Sequence, residues 1–398
     1  MAITDQIQVI DADTHVLEPP DLWTSRMSAK KWGDRIPHMQ WSDEEGVDLW
    51  VSGDDVVGWG SAWAAHAGSD EWYPYQTRTW EQARLATPAA FGASDRLALM
   101  DDFGVYAQVL YPNVLVFGLS MYSKAASGDT DLFLECTRAY NDFLTDYASA
   151  DPKRFIPIAA LPFWDLDASI AEMHRAAANG HKGIIFPQFP EYHGQPRLSD
   201  RHWDRLWAAA QEAELPVNFH IGSGGASDPG TYVIDDAGRG AGAPASTMVF
   251  FIDNARTIAS LTCGGICDRF PRLKFVSVES GASWVPFVLQ SLDYAWQNSA
   301  ACMEHPEYLL PSEYFRRQIY ACFFFEHGAP LDATIEFLGA DSLLYETDYP
   351  HPMSMAPGPT RGTAVTPREY IDTTLGHLPD ATLRKLLHDN AASVYRLD

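Results

Sequence analysis

Apolar and polar positions along this chain switch repeatedly between two periods. Short runs rich in β-branched and aromatic residues recur at 8–13, 106–111, 155–161, 183–187, 216–220, 273–279, 319–324 and 342–348. Several are almost continuously apolar, the pattern of strands covered on both faces. In the intervals the spacing changes to three and four. Cys136, Tyr140, Phe143, Leu144 and Tyr147 make one such stripe. Trp203, Leu206, Trp207 and Ala210 make another, after a cap expected at Ser199. Residues 283–298, 331–338 and 380–395 read as helices in the same way. Eight strand–helix alternations predict an α/β chain folded as a (β/α)8 TIM barrel. A doubly wound sheet competes, but no GxGxxG opens a helix after the first strand.

Such a barrel needs ~250 residues, and the chain has 398. It reads as one domain over 1–398, with most of the excess in an insertion at 19–93. That insertion holds Trp23, Trp32, Trp41, Trp50, Trp59, Trp63, Trp72 and Trp80 among Gly, Asp and Ser. It is expected to cover the barrel mouth or to form an oligomer contact. Residues 221–245 contain seven glycines directly after the fifth strand, which predicts a mobile loop over a site. Residues 353–367, rich in Pro and Gly, form a third loop after the eighth strand.

Charge narrows the range of partners. Lys and Arg number 28 and Asp and Glu 53, a net charge of −25. Phosphate binding needs a basic face, so nucleic acid is excluded as a partner, and so are anionic membranes. No apolar run approaches the ~20 residues of a membrane span. The opening MAITDQIQVIDADTH has neither the basic nor the apolar region of a signal peptide, so a cytoplasmic location is expected. The five cysteines form no CxxC pair, which fits reduced thiols, with Cys263 and Cys267 expected to be buried.

In parallel barrels the chemistry sits at the C-terminal ends of the strands. The first strand ends in Asp11-Ala12-Asp13-Thr14-His15, with Glu18 following. The fifth ends in His220, the sixth in Glu279, and the eighth in Glu346-Thr347-Asp348, followed by His351. Asp11, Asp13 and His15 alternate and so share one face. Asp13 and His15, nearest the rim, are placed to reach a common ion with His220 and Asp348. Carboxylates and imidazoles are costly to bury without partners, and a divalent cation removes that cost. Glu346 faces the same side as Asp348 and reads as a partner behind the ligands. Glu326-His327, after the seventh strand, is a further candidate for the rim. The other nine histidines read as surface or core residues.

The chain resembles the amidohydrolase-related, metal-dependent barrel family that includes aminocarboxymuconate-semialdehyde decarboxylase and the resorcylate decarboxylases. Four stretches carry the resemblance: VIDADTHVLEP at 9–19, PVNFHIG at 216–222, DRFPRLKFVSVESGASWVP at 268–286 and ETDYPHP at 346–352. It spans nearly the whole chain. It implies metal ligands at Asp13, His15, His220 and Asp348. Two positions depart from the family pattern. The usual H-x-H begins with Asp13, and the sixth-strand position, often histidine in the decarboxylases, is Glu279. The rim is therefore richer in carboxylate, and Glu279 joins the candidate ligands.

The expected cofactor is a divalent metal, Zn or Fe/Mn, as one ion or two. The expected activity is that of a metal-dependent hydrolase or decarboxylase acting on a small carboxylate-bearing or aromatic substrate. Asp348 would act as general base, Glu279 as alternate base or proton donor, and His351 would polarise the substrate. The alternative is an oxygen-activating dinuclear Fe/Mn oxygenase, a hydroxylase with Glu279 as bridging ligand. The expected partners are a small-molecule substrate and either a second copy of the chain or a related subunit.

Overall fold

The computed structural model of the chain describes residues 2–397 except 61, 63, 68, 70, 71, 73–78, 114–127, 224–237 and 358–362. Eleven strands occur among them. The first is β1 (Val9–Val16), and β2 (His38–Ser42), β3 (Val47–Ser52) and β4 (Asp55–Trp59) follow in the insertion. The rest are β5 (Val105–Pro112), β6 (Phe155–Ala159), β7 (Gly183–Ile185), β8 (Val217–His220), β9 (Phe275–Val278), β10 (Ile319–Phe323) and β11 (Leu343–Tyr345). One sheet has the order β1-β5-β6-β7-β8-β9-β10-β11, with every neighbour parallel and helices between strands. This is the expected (β/α)8 barrel, and each predicted run holds one of its strands.

The run just after β11 closes the seam. Asp348 N donates to Asp13 O (3.0 Å) and His15 N donates to Tyr349 O (2.7 Å). Asp11 completes the closure. Its Oδ1 accepts from Thr347 N (2.9 Å) and its Oδ2 from Thr347 Oγ1 (2.6 Å). The same closure therefore sets Asp348 beside Asp13 and His15.

Helix Thr130–Ala148 buries Cys136, Tyr140, Phe143, Leu144 and Tyr147, the stripe read from the sequence. The helix carrying Leu206, Trp207 and Ala210 begins at Asp204 instead of just after Ser199. Asp200 takes the capping role, accepting from His202 N at 2.7 Å, and a single tight turn follows it. All five cysteines are free thiols, and Cys263 is only half-buried. No helix among the described residues is long and apolar enough to cross a membrane.

The insertion contains a fold of its own that sequence reading did not show, the antiparallel sheet β2-β3-β4. Trp50 on β3 meets Trp23 edge to face at 4.7 Å, and both are fully buried. The insertion sits on the rim. His66 N and Ala67 N both donate to Pro350 O (3.0 Å each), and Trp80 Nε1 donates to Glu18 O (3.1 Å). Of the glycine-rich stretch 221–245, residues 224–237 lie outside the described residues. Its last eight residues are not loop. They open helix Gly238–Cys263, whose Phe251, Ile258 and Leu261 are buried against the barrel. Burial of that apolar side outweighs the weak helix propensity of the glycines.

Candidate metal centre

Asp13, His15, His220, Glu279, Asp348 and His351 meet at the C-terminal rim, all of them buried. Asp13, His15, His220 and Glu279 each offer one ligand atom within 4.8 Å of the others. So do His15, Glu279, Asp348 and His351. The two groups share His15 and Glu279, and one imidazole nitrogen serves one ion.

The imidazole tautomers follow from the backbone. His15 Nδ1 lies 3.2 Å from Pro112 O, and His220 Nδ1 lies 2.8 Å from Ile221 O. A carbonyl only accepts, so each Nδ1 carries the proton. Each Nε2 then presents a lone pair, and the two Nε2 atoms stand 3.0 Å apart. Two lone pairs face each other comfortably only with a proton or a cation between them. Carboxylates ring the same point. Asp13 Oδ1 is 3.6 Å from His15 Nε2 and 3.5 Å from His220 Nε2. Glu279 Oε2 is 3.2 Å from His220 Nε2, and Asp348 Oδ1 is 3.7 Å from His15 Nε2. Both Asp13 oxygens and Glu279 Oε2 are buried and accept no hydrogen bond among the described residues. Buried polar atoms are rarely left this way. Imidazole nitrogens with carboxylate oxygens form a donor set that suits Zn, Fe or Mn.

Two of the carboxylates sit on strained backbone. Glu279 and Asp348 both have φ +57°, a left-handed conformation that non-glycine residues seldom adopt. The surroundings hold it in place. Glu346 Oε2 accepts from Glu279 N (3.1 Å). On the helix behind, Asn254 Nδ2 lies 3.3 Å from Phe219 O, 3.2 Å from Val278 O and 3.1 Å from Ser280 Oγ. Those carbonyls immediately precede His220 and Glu279, so one side chain brackets both strand ends.

His351 stacks on His15 at 3.9 Å and puts Nδ1 2.8 Å from Asp348 Oδ1. Its Nε2 meets Asn113 Oδ1 at 3.0 Å, and Asn113 Nδ2 donates to Glu18 Oε2 at 3.3 Å. Glu18 thus stands behind His351 and also accepts from Tyr140 Oη (3.0 Å). Asp11 closes the barrel, and Glu326 is not among the side chains that converge on the candidate metal point. Glu326 Oε1 instead accepts from Ala282 N (2.6 Å) and Ser283 N (3.1 Å), capping the turn after Glu279, while His327 is exposed. Sequence reading missed Asn113, Asn254 and Arg96. Only Asn113, a polar residue at a predicted strand end, carried a signal.

Burial, reinforced by neighbouring carboxylates, holds the carboxyls of Glu279, Asp348 and Glu346 well above their usual range. Burial also holds His15 well below the usual imidazole value, helped by His351 and His220. For His220, burial works the same way, but the adjacent Asp13 and Glu279 overcome it and push the ring up to about 9. Opposite shifts on two rings in contact mean that one proton serves both.

Above about pH 7 these shifts act in one direction. The folded chain holds a proton on His220 up to about pH 9 that the unfolded chain has released, and the upward shifts of the three carboxyls act in the same direction. Such protons stabilise the fold, and the stabilisation is lost as pH rises through the folded-state pKa. His15 and His351 are neutral in both states in this window and contribute nothing. The metal-free chain is therefore expected to lose Tm from about pH 7 to about pH 9. A divalent ion replaces those protons and flattens the profile. Thermal scans with and without chelator measure this, and a metal-free Tm that climbs over that window contradicts the proton count.

The sequence and the fold are similar to those of known proteins. Residues 10–397 match the family model described as amidohydrolase. The chain is 26% identical over 264 residues to gamma-resorcylate decarboxylase of a Polaromonas species, covering 64% of this chain and 76% of that one. A solved amidohydrolase from Mycobacterium avium subsp. paratuberculosis superposes with a TM-score of 0.74 at 23% identity, over 98% of this chain and 99% of the other. A Polaromonas dihydroxybenzoic acid decarboxylase solved with manganese and 2-nitroresorcinol gives 0.62 at 18% identity, over 98% and 97%. These relatives give no support to the oxygen-activating alternative.

Proposed function

The chain belongs to the amidohydrolase family and is an enzyme of that kind, and on that premise we propose that it decarboxylates a small aromatic acid with the help of one divalent ion. The observation that carries the reading is the pair of facing Nε2 atoms of His15 and His220, 3.0 Å apart, beside Asp13 and Glu279 carboxylate oxygens that accept no hydrogen bond among the described residues. Asp13, His15, His220 and Asp348 would hold the ion, with Glu279 at its edge. When bound, the ion supplies Lewis-acid polarisation of a substrate oxygen. The curated relative acts on a resorcylate, which is the basis for an aromatic carboxylate as substrate.

The chain's own residues carry the proton. Burial holds the Glu279 carboxyl well above its usual range, next to the point where the ligand atoms converge, and this makes it the group assigned to deliver a proton. The bond between ring carbon and carboxylate breaks, and its electron pair stays on the ring carbon. That carbon takes the proton from Glu279, CO2 leaves, and solvent restores the proton. Asp348 and His351, 2.8 Å apart, orient the substrate oxygens opposite. Glu279 thus fills the role that an imidazole often has in the decarboxylases.

The test is to strip the chain of metal, reload it with Mn2+ or Zn2+, and offer ortho-hydroxybenzoates in D2O. Metal-dependent CO2 release with one deuterium on the product ring is expected. Cleavage of an ester or amide by the loaded chain, with no CO2 from the acids, would overturn the proposal in favour of hydrolysis.

A further inference from the structure

Asparagine is unfavourable inside a helix, because its amide competes for the backbone. Asn254 nevertheless sits in the interior of helix Gly238–Cys263, wholly buried. What it bonds lies outside the helix. Strands β8 and β9 lie side by side and end at His220 and Val278. Asn254 Nδ2 meets the Phe219 and Val278 carbonyls at 3.3 and 3.2 Å, and Ser280 Oγ at 3.1 Å. Ser280 Oγ in turn lies 3.0 Å from Ser277 Oγ on β9.

One orientation of the amide satisfies these partners. Carbonyls only accept, so the atom facing them is nitrogen, and Oδ1 points the other way. Gln188, just beyond β7, donates its Nε2 to that oxygen. The helix is pinned on both sides of Asn254. Phe251 stacks on Phe325 at 5.6 Å and 9°, and the Arg256 guanidinium lies 4.0 Å from the Phe189 ring centroid. The donor therefore reaches the strand ends with its position and direction fixed.

Its targets are the peptide groups that aim two side chains of the centre. The Phe219 carbonyl belongs to the peptide bond leading into His220, and the Val278 carbonyl to the one leading into Glu279. Val278 and Ser280 flank Glu279, whose φ of +57° is costly, so one amide grips the strained residue from both sides. Glu279 Oε2 stands 3.2 Å from His220 Nε2. Groups behind a metal ligand orient it and tune its affinity. We propose that Asn254, held by Gln188, is a positioning residue that sets the His220 imidazole and the Glu279 carboxyl at the separation a shared ion requires. The inference rests on the reading of these two side chains as groups at the ion, and not on the reaction that follows.

Titration of the metal-free full chain with Co2+ tests it, followed by the visible spectrum of the bound ion and set beside thermal melting and CO2 release. The wild type is expected to bind Co2+. Asn254→Ala is expected to fold and to bind it ~10-fold or more weakly. Its spectrum at saturation should differ, because the ligand geometry has changed. Leu261→Ala, at a buried position further along the same helix, opens a cavity without breaking a bond to either strand end. It should lower Tm but leave Co2+ affinity and spectrum as in the wild type. Asn254→Ala with wild-type affinity and spectrum overturns the proposal. So does a Leu261→Ala chain that binds as weakly, since loosening of the helix would then suffice. If Asn254→Ala does not fold, Gln188→Leu, which frees the Asn254 amide to turn, takes its place. Weaker Co2+ binding by that variant supports the proposal, and unchanged binding overturns it. A wild type that takes up no Co2+ overturns it together with the metal centre, whereas one that binds Co2+ but releases no CO2 overturns decarboxylation alone.

Discussion

Asp348→Ala and His220→Ala are each expected to release the ion and reduce turnover to background while the barrel stays folded. Both residues lie at the rim, where side chains serve function, whereas the packed layers below carry stability. Removing Asp348 takes away a carboxylate whose Oδ1 lies 2.8 Å from His351 Nδ1 and 3.7 Å from His15 Nε2. Removing His220 deletes one of the two facing nitrogens. Without the ion, the substrate oxygens are not polarised and the reaction slows by several orders of magnitude. Stability should move little, and by opposing contributions. Alanine at φ +57° costs ~1–2 kcal/mol, but loss of Asp348 relieves its repulsion with Asp13 and Glu279. Asp348→Asn separates the two effects, because asparagine tolerates the left-handed conformation while giving up the charge. Metal content, circular dichroism and turnover should be measured on all three variants. Retained metal and retained activity in His220→Ala would end its assignment as a ligand.

The largest loss of stability is expected from Arg96→Ala. Arg96 is wholly buried. Its Nε donates to Ala89 O (2.6 Å), and its terminal nitrogens donate to His15 O (2.7 Å) and Gln108 Oε1 (3.2 Å). The guanidinium also lies 4.5 Å from the Tyr349 ring centroid. Gln108 in turn donates to Asp11 Oδ2 (3.1 Å), so the cation connects through one amide to the carboxylate that closes the barrel. Truncation leaves three buried acceptors at ~1–3 kcal/mol each and opens a cavity, so a net loss of about 4 kcal/mol is expected. Lysine should rescue little, because one ammonium cannot reproduce the forked geometry. Urea unfolding of both variants measures this. A loss under ~1 kcal/mol would mean that water or a neighbour satisfies those acceptors. The His15 carbonyl is among them, so metal affinity should fall as well, with the ligand's backbone released.

What the sequence determined by itself was local in origin. Eight strands were legible because a strand buried on both faces writes a short apolar run, and a helix writes a stripe at three and four. Asp13, His220, Glu279 and Asp348 could be named because each ends such a run, and His15 because it alternates with Asp13 just beyond one; parallel barrels gather their strand ends on one rim. What lay beyond reach depended on contacts between residues far apart in the chain. Asp11 and Asp13 look alike in sequence and share a face. Only the closure of the barrel gives Asp11 the amide and hydroxyl of Thr347, and leaves the Asp13 carboxylate without a donor among the described residues. Glu326 has the composition of a ligand, yet the turn at Ala282 and Ser283 claims its carboxylate. Asn254 sits in mid-helix with no local sign of its hold on two strand ends. The left-handed backbone of Glu279 and Asp348 has no sequence signature either, because the residues that impose it lie on other strands and helices. Periodicity records which side of an element is buried. Which buried polar atom meets which partner is decided only when the elements pack, and that pairing distinguishes a ligand from a structural clasp.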